Sequence, residues 1–352
     1  MMLLPRELIA IAPRTPAFRE YEERPLGPLE VRVKSRLSAE KHGTTLLLYR
    51  GSKPLDEKVF SPELGMFFPK ETAEGSPLIS FPMRLGNMTV GTVTEVGKMV
   101  TKFKEGDRAY GYLPIRETHT VGEDEVRKAP EELEDEELVC IDPAAVALMA
   151  IRESRLAVGD AVAVFGAGAI GLMAIQIAKL GGALRIICIE PIEKRRRLAG
   201  KFGAELCLDP NSCDVGLEIR KAIGGKGVDV SLETSGSYHA LHQAIRSTRY
   251  GGTLVPVSWY HGDANGLNLG EEWHFNRHVM VSGARVESEP YRDYPRWDRE
   301  RIYDTVIELF RRKVLSTKGI LDPIAGFDSA VEAYRAIDER PEEAIKLGIR
   351  YG

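Results

Sequence analysis

Early in the chain, apolar and polar positions alternate with period two. The run Glu30-Val31-Arg32-Val33-Lys34-Ser35-Arg36-Leu37 is the clearest, Thr89-Val90-Gly91-Thr92-Val93-Thr94-Glu95-Val96-Gly97 follows the same rule, and Ala109-Tyr110-Gly111-Tyr112 is shorter. Successive strand side chains point to opposite faces, so these runs predict half-buried strands of an antiparallel β region. The pattern then changes. Residues 143–156 read as a helix and Val158-Gly159-Asp160 as a turn. Apolar strands at 162–165, 185–189, 205–208, 228–233, 251–257 and 278–283 then alternate with helical stretches. Strands buried on both faces between helices predict a doubly wound parallel sheet. Beyond Arg285 the helical stretches 302–312 and 329–339 have no crossover strand between them, and 345–351 is a final strand. The chain is therefore expected to return to the first region, giving domains 1–141 with 287–352, and 142–286.

The strand Val162-Ala163-Val164-Phe165 breaks into Gly166-Ala167-Gly168-Ala169-Ile170-Gly171 and then into an apolar helix. A Gly-x-Gly-x-x-Gly turn between strand and helix predicts a dinucleotide's pyrophosphate: Gly166 permits the tight turn, Gly168 admits the phosphates and Gly171 lets helix and strand pack closely. Ala169 and Ile170 open the helix whose N-terminus faces the phosphates. Glu190 closes the next apolar strand, where a carboxylate accepts the adenosine ribose hydroxyls and repels a 2′-phosphate. NAD is thus expected over NADP, although Arg195, Arg196 and Arg197 on the following helix pull the other way.

Composition narrows the partners. With 48 Lys+Arg against 52 Asp+Glu, the net charge of -4 gives no electrostatic case for nucleic acid or an anionic membrane. Small molecules are the expected partners. Met1-Met2-Leu3-Leu4 is too short for a signal segment, and no apolar run approaches about 20 residues, so a cytoplasmic location is the default expectation. Cys140, Cys188, Cys207 and Cys213 form no Cys-x-x-Cys pair and read as buried thiols. The acidic stretch 131–137 reads as a solvated loop or helix start.

Several motifs occur together in order: Pro82-Met83-Arg84-Leu85-Gly86-Asn87-Met88-Thr89-Val90-Gly91, Val96-Gly97, Gly106-Asp107-Arg108, the glycine turn, Asp229-Val230-Ser231-Leu232-Glu233-Thr234-Ser235-Gly236, and Ile345-Lys346-Leu347. Through them nearly the whole chain resembles the medium-chain dehydrogenase/reductases of the zinc-type alcohol and polyol dehydrogenase branch. The resemblance implies an α/β chain, with a GroES-like β-rich catalytic domain made of both chain ends and a Rossmann domain between them. It also implies a homodimer or homotetramer joined along the last Rossmann strand. It marks Thr234, Ser235 and Val257 as further cofactor-binding candidates, Arg195 as an adenosine-side cation and Lys346 as a pyrophosphate contact. His119 and the segment Trp259-Tyr260-His261 fall where relatives line the substrate cleft.

The departures from the family pattern bear on catalysis. Zinc members hold the metal with a Cys, a Gly-His-Glu and a Cys, Asp or Glu near the domain boundary, donors suited to an open Lewis-acid site. With Tyr49-Arg50-Gly51 as the landmark after the first ligand, the resemblance places His42 at that ligand and Thr44 at a proton-relay hydroxyl. Asn87 and Met88 replace the His-Glu pair, and Asp142-Pro143 stands where polyol dehydrogenases carry Glu-Pro. The span 110–119 lacks the four-cysteine lobe of the structural zinc. No metal is expected. A metal-free enzyme needs a donor and a proton acceptor at the reacting oxygen. In one reading His42, held by Asp142, takes the alcohol proton, Thr44 relays it and Asn87 donates to the oxyanion. In the other, His42 and Asp142 serve only structural hydrogen bonds. The leading expectation is a zinc-independent, NAD-dependent dehydrogenase of a polyol, sugar or cyclitol. A quinone or activated-alkene reductase and a non-catalytic NAD-binding protein are the alternatives.

Overall fold

The computed structural model describes residues 4–51, 57–72, 80–283, 285–288 and 295–352. The chain divides into two compact units, Met1–Val139 with Leu321–Gly352, and Cys140–Ile320. The first opens on a hairpin of β1 (Arg6–Ala12) and β2 (Thr15–Glu20). β3 (Glu30–Ala39) realises the predicted alternation, burying Val33, Ser35 and Leu37 while Lys34 and Arg36 face solvent. After it come α1 (His42–Tyr49), a separate hairpin of β4 (Lys58–Ser61) and β5 (Met66–Pro69), and β6 (Met83–Arg84), which joins β1. β7 (Met88–Val96), β8 (Arg108–Gly111), β9 (Thr118–Gly122) and β10 (Arg127–Lys128) complete the β-rich part, and α2 (Asp135–Leu138) ends it. The acidic run is tied down here. Asp135 accepts hydrogen bonds from Arg36 at 2.9 Å and Arg108 at 3.0 Å.

The second unit begins with α3 (Ile141–Glu153). Strand and helix then alternate through β11 (Ala161–Phe165), α4 (Ala169–Leu180), β12 (Arg185–Ile189), α5 (Glu193–Phe202), β13 (Leu206–Leu208), α6 (Val215–Ala222), β14 (Val228–Glu233), α7 (Tyr238–Ser247) and β15 (Thr248–Pro256). α8 (Glu272–Asn276), β16 (Val279–Met280) and α9 (Arg299–Arg311) follow. The sheet is parallel with order β13-β12-β11-β14-β15-β16, the two-halved winding of a Rossmann domain. Its topological switch lies between β11 and β14, the position at whose carboxyl ends doubly wound sheets bind their ligands.

The chain re-enters the first unit at Leu321 rather than at 287. α9 stays with the second unit because it packs on α3, where the Arg152 guanidinium sits 3.6 Å from the Trp297 ring centroid and 4.2 Å separates Arg301 from the same ring. Gln176 also holds the backbone of Ser316 with both ends of its amide, at 3.1 and 2.8 Å. A strand also stands where none was expected: β17 (Leu321–Gly326) precedes α10 (Ala330–Glu339) and pairs in parallel with β18 (Lys346–Arg350). β17 contains Pro323, which hides the strand pattern yet is tolerated because β17 is the sheet's edge.

Candidate functional site

The glycine turn has the local geometry its residues dictate. Gly166 adopts φ +92°, open to glycine at low cost. A Cβ on Gly171 would lie 2.0 Å from the Gly166 carbonyl oxygen, so helix and strand meet this closely only without one. Gly168 caps α4 with extended backbone, and a Cβ there would meet nothing within 4 Å. The amides of Ala169, Ile170 and Gly171 precede the first intrahelical bond, which Leu172 donates to Gly168 at 2.9 Å. Open space beside Gly168, under amides at a helix N-terminus, fits a pyrophosphate.

Glu190 is tied to this turn. Although buried, its carboxylate accepts from the amide of Ala167 at 2.7 Å and of Ile192 at 2.9 Å. Each oxygen keeps a lone pair for a hydroxyl. Arg196 donates to the carbonyls of Glu190 and Pro191 and pairs with Asp209 at 3.1 Å, while Arg197 pairs with Glu193. Arg195 is half-buried; burial lowers its pKa and the Glu190 charge works against that.

Beside the turn, the Thr234 hydroxyl donates to the carbonyls of Phe165 and Gly166, both at 3.0 Å, which fixes β14 to the turn. Ser235 gives its amide and its hydroxyl to Glu233. Sequence reasoning missed Glu233. Fully buried, this carboxyl also accepts from the Gly236 amide at 3.0 Å and the Tyr260 hydroxyl, and its main chain receives the Val257 amide at 2.8 Å. Burial pushes Glu233 above the usual carboxylate range against these donors. The only sequence signal was an acidic residue ending an apolar strand, as at Glu190. Thr234, Ser235 and Val257 therefore shape the strand ends through backbone and hydroxyls engaged inside the protein. Asp142 is buried in the first turn of α3.

In the first unit, His42, Asn87 and Lys346 gather at the carboxyl end of β3. Ala39 pairs with Met88 on β7 and Gly348 on β18, and its carbonyl accepts the Asn87 amide at 3.0 Å. His42 starts α1, whose Leu46 and Tyr49 pack against Tyr334 and Ile337 of α10. The Leu347 amide donates to His42 Nε2 at 2.9 Å, so the neutral ring carries its hydrogen on Nδ1. Thr44 lies half-buried in the same helix, and Met88 is buried in the core.

Lys346 is buried, its ammonium donating to the Glu40 carbonyl at 2.6 Å. The Glu40 carboxylate, also missed from sequence, accepts the amides of Lys41 at 2.7 Å and Gly86 at 2.9 Å. His119 is buried rather than exposed, with Nε2 lacking a hydrogen-bond partner. Burial, then the charges of Arg116 and Arg84, lower its pKa to about 3.

Residues 169–297 match the family described as zinc-binding dehydrogenase. The chain is 40% identical over 350 residues to D-guloside 3-dehydrogenase of Escherichia coli (strain K12), covering 98% of this chain and 100% of that protein. It is 37% identical over 298 residues to (R,R)-butanediol dehydrogenase of Bacillus subtilis (strain 168), covering 76% and 81% respectively. The crystal structure of 2R,3R-butanediol dehydrogenase from Bacillus subtilis superposes with a TM-score of 0.76 at 26% identity, covering 98% of this chain and 99% of that one.

Proposed function

This chain belongs to the medium-chain dehydrogenase/reductase family, in its alcohol and polyol dehydrogenase branch, and we propose that it is an NAD-dependent, zinc-independent dehydrogenase of a secondary alcohol. It is an oxidoreductase of CH–OH groups. The relative named for the 3-position of a guloside narrows the proposed substrate to a secondary hydroxyl of a sugar or glycoside, within the wider class of polyols and cyclitols.

One observation carries the cofactor reading: Glu190, buried at the end of β12, is held by the amide of Ala167 in the glycine turn itself. Bound there, a nicotinamide dinucleotide supplies the hydride acceptor for alcohol oxidation, or the donor for the reverse reaction. The amides opening α4 hold the pyrophosphate. Glu190 accepts the ribose hydroxyls and repels a 2′-phosphate, while Arg196 and Arg197 are engaged with their own partners. Titration of the protein with NADH and NADPH tests this, with at least tenfold tighter NADH binding expected. Equal or tighter NADPH binding would sink it.

The donor set at the family's ligand positions supports a metal-free reaction. Met88 is buried in the core, Asn87 offers an amide, and His42 Nε2 already accepts the Leu347 amide. We assign to His42 Nδ1–H and the Asn87 side-chain amide the task of donating to the substrate oxygen, and to Thr44 the relay that passes the alcohol proton outward. Metal analysis of the purified protein should find no stoichiometric zinc, and turnover of a sugar and polyol panel with NAD should survive a chelator. Activity restricted to quinones or enones, or NADH binding without any turnover, would replace this reading by one of the alternatives.

A further inference from the structure

β12 and β13 run parallel, and Cys188 stands directly opposite Cys207 in their register. Neighbouring strands lie about 4.8 Å apart, within the roughly 4.4–6.8 Å between Cα atoms that a disulfide spans. Residues opposite one another point to the same face of a sheet, so the two thiols share one side. All four cysteines are free; Cys188 is buried and Cys207 half-buried. Cys140 and Cys213 face no cysteine across a strand pair. The neighbouring Cys188 thiol holds the Cys207 pKa below its ordinary range; burial opposes this, and the Arg196 guanidinium adds to it. That guanidinium is anchored at the strand ends by the carbonyls of Glu190 and Pro191 and by Asp209. The pair thus joins a thiol of lowered pKa on a half-buried residue to a buried partner directly across the strand register.

We propose that Cys188 and Cys207 are an oxidisable dithiol, a modification site that hydrogen peroxide closes to a disulfide and a thiol reductant reopens. In the first step the Cys207 thiolate attacks a peroxide oxygen. The S–O bond forms, the O–O bond breaks, and the departing hydroxide takes a proton to become water. In the second, Cys188 loses its proton and its sulfur attacks the Cys207 sulfenic sulfur. The S–S bond forms, the S–O bond breaks, and hydroxide with that proton leaves as a second water. Two thiols are oxidised and one peroxide is reduced. The site stands apart from the nucleotide reading and does not depend on it.

The test treats the full-length protein with hydrogen peroxide, alkylates it under denaturing conditions and maps its peptides. The expected result is a loss of two of the four alkylatable thiols, a cross-linked peptide joining Cys188 to Cys207, and full recovery with dithiothreitol. Cys188→Ser and Cys188→Ala should each abolish the cross-link and leave Cys207 as a dimedone-reactive sulfenic acid, whereas Cys213→Ser should leave the cross-link intact. Four thiols surviving peroxide, a cross-link mapping elsewhere, or Cys207 passing to its sulfinic acid without linkage overturns the proposal. If neither Cys188 variant folds, the native peptide map and Cys213→Ser decide it alone.

Discussion

Single side chains carry the functional reading at two places. Truncating Glu190 removes a carboxylate that the turn itself orients, and a hydrogen bond to a charged group contributes roughly 1.5–3 kcal/mol. Glu190→Ala is therefore expected to weaken NADH binding about tenfold or more and to narrow the gap to NADPH, measured by fluorescence titration. At His42 the tautomer allows a sharper test. An asparagine amide reproduces a donor near the Nδ1 position but cannot act as a base at neutral pH. His42→Asn should retain activity within about tenfold of the parent, while His42→Ala loses about a hundredfold, the scale of removing one donor from a developing oxyanion. Equal losses in both variants would return His42 to a proton-accepting or purely structural part.

The glycine turn works as an element, because its spacing decides how strand and helix meet. The clash of a Cβ at 171 with the Gly166 carbonyl involves backbone that cannot swing aside, unlike a flexible side chain. Gly171→Ala should abolish measurable NADH binding and lower unfolding stability by about 1–3 kcal/mol, the usual cost of overpacking; a denaturant melt alongside the titration checks both. α1 shows the limit of reading elements from sequence. The stretch Thr44-Thr45-Leu46-Leu47-Leu48 has no helical period, and the helix forms where Leu46 and Tyr49 find α10, with the Tyr49 and Tyr334 rings 5.0 Å apart. β17 was illegible for a different reason. Its proline argues against a strand unless the position is at an edge, and only the sheet order reveals the edge.

At the scale of the whole molecule, buried titration links pH to stability. His119 titrates near pH 3 in the fold, against 6.5 for an ordinary histidine, because burial and then Arg116 and Arg84 disfavour its charge. Between those values the unfolded chain binds a proton that the folded chain does not. Its contribution is complete above about pH 6.5 and is lost as the pH falls toward 3, at up to about 1.4 kcal/mol per pH unit. Urea unfolding between pH 7 and pH 4 should show a shallower loss in His119→Gln, and an unchanged slope would assign the acid sensitivity elsewhere. Assembly belongs to this scale too. β16 is the edge of the parallel sheet, with Val279 52% and Met280 37% exposed, and we propose this edge as the contact through which the chain would form a homodimer or homotetramer. Val279→Lys should shift the mass in light scattering to the monomer; an unaltered oligomer would move the contact off this edge. Among the described residues no helix is long and apolar enough to cross a membrane.

By itself the sequence determined the parallel sheet, the glycine turn and the place of Glu190, because each rests on neighbours within about two dozen residues: a strand period, a φ only glycine adopts easily, a carboxylate one βα unit downstream. Tertiary structure decided the rest. The tautomer of His42 is set by Leu347, 305 residues away, and the burial of Lys346 by Glu40, 306 residues away. No local pattern encodes which lone pair an imidazole has spent or where an ammonium is buried. Those outcomes follow from which polar groups the fold brings within hydrogen-bond reach once water has been excluded.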